Sequence, residues 1–151
     1  MNSFTAFEMK YTGGTVASSD ICMIPFSDIF YPQYERIYNE CFYAMRKALD
    51  IQPYNYYSDI SQMDSSKEIF LLTDNGTIIG SVGIIGTEID DLIVNSQFQG
   101  IGYGIKLLFW AINHIRKYSD EPIILHVADW NKRAVDMYLR NGFVITKSET
   151  I

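Results

Sequence analysis

Apolar residues recur along this chain with two periods, and the switches between them divide it into elements. From Tyr34 the positions Tyr34, Ile37, Tyr38, Cys41, Phe42, Met45 and Leu49 keep the three-and-four spacing of one helix face, with Pro32 suited to the first turn. A second stripe, Ile105, Leu108, Phe109, Ile112 and Ile115, predicts a helix running to about Tyr118. A third helix is expected from Asn131 to Asn141, with Gly142 just past its end as a cap.

Short apolar runs bounded by turn residues predict strands at 4–11, 21–26, 68–73, 77–85, 88–94, 123–127 and 143–150. Asp74-Asn75-Gly76 is a strong hairpin signal, and Gly86-Thr87 makes another tight turn. Between Asp50 and Ser66 the pattern is irregular and polar, with Tyr54, Tyr56 and Tyr57 and one helical turn near Ile60. Strict alternation over 88–94 puts Glu88, Asp90, Leu92 and Val94 on one face and Ile89, Asp91 and Ile93 on the other. Two carboxylates then share a face, and Asp91 is expected to be structural.

Length and charge narrow the partners. A chain of 151 residues with 48% hydrophobic positions is sized for a single domain, read here as residues 1–151. A net charge of -6 disfavours a nucleic-acid backbone or an anionic membrane and suits a cationic partner. No apolar run approaches the ~20 residues of a membrane span, and MNSFTAFEMK lacks a signal-peptide pattern, so the cytoplasm is the expected location. Cys22, Cys41, His114 and His126 form no metal-ligand spacing, so no metal is expected. A nucleophilic cysteine has no local sign of activation, since Cys41 falls on an apolar stripe.

Chemistry enters at residues 97–104, which read QFQGIGYG between a strand and a helix. Strand, glycine loop and helix present unpaired backbone amides and the positive end of a helix dipole, an arrangement suited to a pyrophosphate. A Walker loop fails, because Lys106 follows Ile105 and precedes Leu107. A dinucleotide fingerprint is weak, because Glu121 sits beside Pro122 before the next strand instead of after it.

Gln97, Gly100 and Gly102 fill in order the Q/R-x-x-G-x-G/A signature of the GNAT acetyltransferases. Some 25 residues on, ILHVADWNKRAVDMYLRNGF resembles that family's other signature through Asn131, Ala134, Tyr138, Gly142 and Phe143. The resemblance covers roughly 68–144 well and the first 60 residues poorly. It implies an α/β fold with a central, mostly antiparallel mixed sheet flanked by helices. It also implies acetyl transfer from acetyl-CoA, as co-substrate, to a primary amine of a small molecule or peptide.

Carried over residue by residue, the resemblance lays the pantetheine arm against Leu92, Ile93 and Val94. The pyrophosphate falls on the amides of Gln99, Gly100, Ile101, Gly102, Tyr103 and Gly104, with the Gln97 side chain assisting, and Asn131 is expected to hydrogen-bond the coenzyme. Glu88 is the expected general base with Asp90 as runner-up, and Tyr138 the expected general acid. Each has a plainer alternative: a solvent-facing strand end for Glu88, a core aromatic for Tyr138. His126 could face the cleft or simply lie at the surface. The tyrosines of 54–57 either wall an acceptor cleft or anchor an ordinary loop. The family usually ends with two strands after Gly-Phe, where here a single one, 143–150, is predicted. The extra strand at 4–11 is therefore expected beside it, in the same chain or exchanged in a homodimer. An acyl-CoA-binding module without turnover is the competing class of function.

Overall fold

The computed structural model describes residues 3–151. The strands are β1 (Thr5–Tyr11), β2 (Ile24–Pro25), β3 (Glu68–Asp74), β4 (Thr77–Ile85), β5 (Glu88–Val94), β6 (Ile124–Ala128) and β7 (Phe143–Thr150). The helices are α1 (Tyr31–Ala48), α2 (Tyr103–Arg116) and α3 (Lys132–Arg140). All strands join one mixed sheet in the order β2-β3-β4-β5-β6-β1-β7. Every neighbouring pair is antiparallel except β5 and β6, which run parallel.

The apolar stripes found their partners on opposite faces of this sheet. Tyr34, Ile37 and Tyr38 of α1 bury themselves against Ile69, Leu71, Ile78 and Ile93. Leu108, Ala111, Ile112 and Ile115 of α2 pack on Val82, Ile84, Ile89, Leu125 and Met9 on the other face. Each large side chain so buried stabilises by about 1.5–3 kcal/mol. That exceeds the propensity differences among ordinary helix residues, under ~1 kcal/mol each. Packing therefore decides that these segments are helical.

β1 lies in the same chain's sheet, beside β7 as expected but also beside β6, so it is an interior strand. Met9 has no exposed surface and Tyr11 packs its ring on Phe143 with centroids 5.3 Å apart. Gly142 makes this possible, since a Cβ there would stand 2.7 Å from the Tyr11 ring and its φ is 95°. β2 is far shorter than the 21–26 run, in keeping with an edge strand interrupted by Pro25, which has no N–H to donate.

β5 departs from strict alternation. Ile89 is buried on the α2 face and Ile93 on the α1 face, which an unbroken strand with period two forbids. The break is a bulge at Asp91, whose φ is 52°, with the register to β4 slipping between Ser81 and Gly83. Past the bulge the faces exchange. Asp90 and Asp91 both turn to the α1 face, while Leu92 and Val94 pack on the α2 side. The expected shared face for Asp90, Leu92 and Val94 is thus corrected, and so is the opposition of Asp91 to Asp90.

Candidate active site

The parallel pair β5 and β6 is joined only at Glu88 with Ile124 and Ile89 with Leu125. Beyond that point the strands part, and the α2-side end of β5 borders a cleft of about 450 Å³ lined also by Cys41, Met45, Tyr103, Asn131, Ala134 and Met137. Asn95 N–H donates to Ile79 O of β4 at 2.8 Å. Amide direction alternates along a strand, so the preceding Val94 N–H points the other way, into the opening. Val94 O on the same side accepts from Gln99 Nε2 at 2.9 Å and from Cys41 Sγ at 3.3 Å.

The loop closes the cleft at one end. Asn95, buried at 3% exposure, donates from Nδ2 to Ile78 O and accepts from Gln97 N–H, which pins a short 3-10 turn at Ser96–Phe98. Gly100 and Gly102 follow with φ of 81° and 97°, and a Cβ at either would meet nothing within 4 Å. Their glycine requirement is conformational, set by the left-handed backbone. That turn aims the chain into α2, whose first internal bond here is Lys106 N–H to Gly102 O. Among the described residues, the backbone N–H groups of 99–105 donate no hydrogen bond. Gly100, Gly102, Tyr103 and Gly104 line the cleft, whereas Gln97 and Ile101 are exposed, Ile101 at 68%.

On the α1 face the carboxylates gather in two groups. Lys67 Nζ lies 2.7 Å from Asp90 Oδ2 and 2.7 Å from Asp91 Oδ2. Burial and the neighbouring Asp90 push the Asp91 carboxyl up, while Lys67 pulls it down. Glu88 instead meets His126 Nδ1 at 3.6 Å, and His126 Nε2 lies 3.4 Å from Glu8 on β1. His126 is half exposed on this open face. Glu88 does not line this cleft, and neither does Asp90.

Asn131 lines the cleft and caps α3, its Oδ1 accepting from Ala134 N–H at 3.3 Å. Tyr138, one turn beyond Ala134, stands behind the lining with its ring on Phe143 at 5.7 Å and 8% exposure. Its hydroxyl is neither hydrogen-bonded among the described residues nor sealed from solvent. Burial, with the charges of Asp91 and Asp90, pushes its phenol up to about 12. Burial likewise raises the Cys41 thiol to about 11, so it is no ready nucleophile. Among the described residues no group of side chains is fit to hold a metal ion.

Sequence reasoning passed over Trp130 and Arg133, which border the cleft from the start of α3, and Lys67. The first two were findable as an aromatic and a basic residue flanking the Asn131 cap. Lys67 was not, because its partners lie 23 and 24 positions away across a bulge.

With this geometry in view, the sequence model of the acetyltransferase (GNAT) family matches residues 28–143. The chain belongs to that family. The fold is shared by a GNAT-family protein from Novosphingobium aromaticivorans, with a TM-score of 0.72 at 15% identity over 99% of this chain and 63% of that one. A GNAT-family acetyltransferase from Staphylococcus aureus gives 0.56 at 18% identity, over 80% of this chain and 81% of that one. A mycothiol acetyltransferase from Propionibacterium freudenreichii is 34% identical over 76 residues, 50% of this chain. The chain spans 22% of that relative's length. No helix among the described residues is long and apolar enough to cross a membrane.

Proposed function

We propose that this chain forms one N-acetyltransferase domain that moves an acetyl group from acetyl-CoA directly to a primary amine. The observation that carries this reading is the run of unpartnered amides at 99–105, set at the mouth of an opening in the sheet beside the Val94 N–H. Amides at the start of a full-length helix suit a pyrophosphate. Asn131 and Arg133 line the same cleft and can supply further donors. Bound there, acetyl-CoA supplies the activated thioester carbonyl.

The protein's own groups divide the remaining work. Val94 N–H donates to the acyl oxygen, where negative charge develops. A carboxylate of the α1 face, from Glu88, Asp90 and Asp91, takes one proton from the acceptor ammonium. The freed amine forms the C–N bond as the C–S bond breaks, and Tyr138 O–H delivers a proton to the departing sulfur. The amine's second proton restores the phenol, and the carboxylate's proton leaves to solvent. A phenol held at about 12 keeps its proton at neutral pH, as a donor must.

The chain's acidity and the open α1-side face over β6, β1 and β7 suit a cationic acceptor, a small-molecule or peptide amine. The reading of an acyl-CoA-binding module without turnover draws on the burial of Tyr138 behind the cleft lining. An assay of free-thiol release from acetyl-CoA over a panel of primary amines separates the two. Amine-dependent release supports the transferase, and tight coenzyme binding with no release supports the module.

A further inference from the structure

Lys67 leaves the segment before β3 and crosses the sheet over Gly83. A Cβ on Gly83 would stand 2.7 Å from Lys67 Cδ and 3.1 Å from its Cγ, so the absent side chain is what admits the lysine stem. The stem delivers Nζ to both carboxylates at 2.7 Å, with the lysine side chain only 10% exposed. A solvent-exposed ion pair contributes little and needs no such slot. Here two adjacent acids, brought to one face by the Asp91 bulge, share a single largely desolvated cation.

We propose that Lys67 is a positioning residue for acetyl transfer: it fixes the Asp90 and Asp91 carboxylates on the α1 face, so that Asp91 takes the proton of the acceptor ammonium. This rests on the transferase reading above and adds to it the identity of the base.

The other titratable groups facing the pair are phenols. Tyr34 and Tyr38 come from α1, Tyr57 from the segment between α1 and β3, and Tyr138 from α3. Burial raises all four, so they stay neutral near pH 7 and leave Lys67 as the cation that meets the acids. Arg46 is turned elsewhere, over the Tyr56 ring at 5.2 Å. Burial alone would depress the Lys67 ammonium, but Asp91 and Asp90 together raise it above the usual lysine range. It therefore remains a spectator to the proton it helps to move. The balance is one proton: R–NH3+ becomes R–NH2 as the Asp91 carboxylate becomes a carboxylic acid, which later returns the proton to solvent.

Lys67→Met keeps the stem over Gly83 and removes only the charge. An opposite charge at this range lowers a carboxyl pKa by about 1–3 units. Its loss should move the acid limb of the kcat/KM profile upward by about that amount, leaving acetyl-CoA affinity unchanged. Asp90→Asn removes the like charge and should move the limb the other way. Carbon-13 titration of the aspartate carboxyls in each folded variant reads the same midpoints without turnover. Joint movement of carboxyl midpoint and acid limb supports the proposal. A carboxyl midpoint that moves while the acid limb stays put removes Asp91 as the base, and an unmoved midpoint removes Lys67. No amine-dependent turnover in the unaltered protein sinks the transferase reading itself, and the carboxyl titration shows separately whether Lys67 governs the pair.

Discussion

A glycine can be required because of what surrounds it or because of how its own backbone turns, and the loop at 97–104 belongs to the second case. Nothing stands within 4 Å of a Cβ at Gly102, yet its φ of 97° is a conformation that β-branched residues resist at ~1–3 kcal/mol. Gly102→Val should therefore lose acetyl-CoA affinity at least ~10-fold by re-aiming the amides, about 1.4 kcal/mol by calorimetry. Its melting temperature should fall by only several degrees. Undiminished affinity would remove the loop from the coenzyme site. At Tyr138 the question is what the hydroxyl does. Tyr138→Phe keeps the ring against Phe143, so stability and affinity should hold while turnover falls by about 10²–10⁴. Near-normal turnover in the folded variant would return Tyr138 to the core.

At the level of elements, Asn131 shows how one residue is asked for two things. As the cap of α3 its Oδ1 holds the Ala134 amide, worth ~1 kcal/mol, while the residue also lines the cleft. Asn131→Ala should lose both stability and coenzyme affinity, and Asn131→Asp should recover the stability without the affinity. Melting curves and calorimetry on the two variants check this, and equal affinity in all three proteins would leave Asn131 a cap alone. What was legible in the sequence follows the same division. The stripes on α1 and α2 and the Asn75-Gly76 and Gly86-Thr87 turns read correctly, because their signals are local. The faces of β5 did not, because nothing in EIDDLIV distinguishes an alternating strand from one with a bulge at Asp91. The packing of Ile89 and Ile93 on opposite faces, with the φ of Asp91, reveals it. For the same reason the motif residues of the loop were found in order, whereas the Lys67 partnership, made across three strands, was invisible.

For the whole molecule, the decisive feature is where β1 sits. Thr5 pairs with Thr150 and Lys10 with Ile124, so the strand joins β6 to β7 and steadies the strand that leads into Trp130 and Asn131 of the cleft. Removing residues 1–11 should leave Phe143 and Leu125 without Met9 and Tyr11, a loss of two buried side chains at about 1.5–3 kcal/mol each. The truncated chain should lose its cooperative unfolding transition, which circular dichroism would detect, and an unchanged transition would show that β1 is dispensable. The same pairing imposes an order in time. Translation delivers this strand well ahead of its two neighbours, so it waits for β6 and β7 to be made before it can be used. Contacts so distant along the chain slow folding, because loop closure must precede any gain from them. The nascent protein must therefore carry an unpaired, half-apolar ribbon until β6 and β7 emerge. Adding the matching C-terminal segment to a stalled chain is the step that should turn it from protease-sensitive to protected.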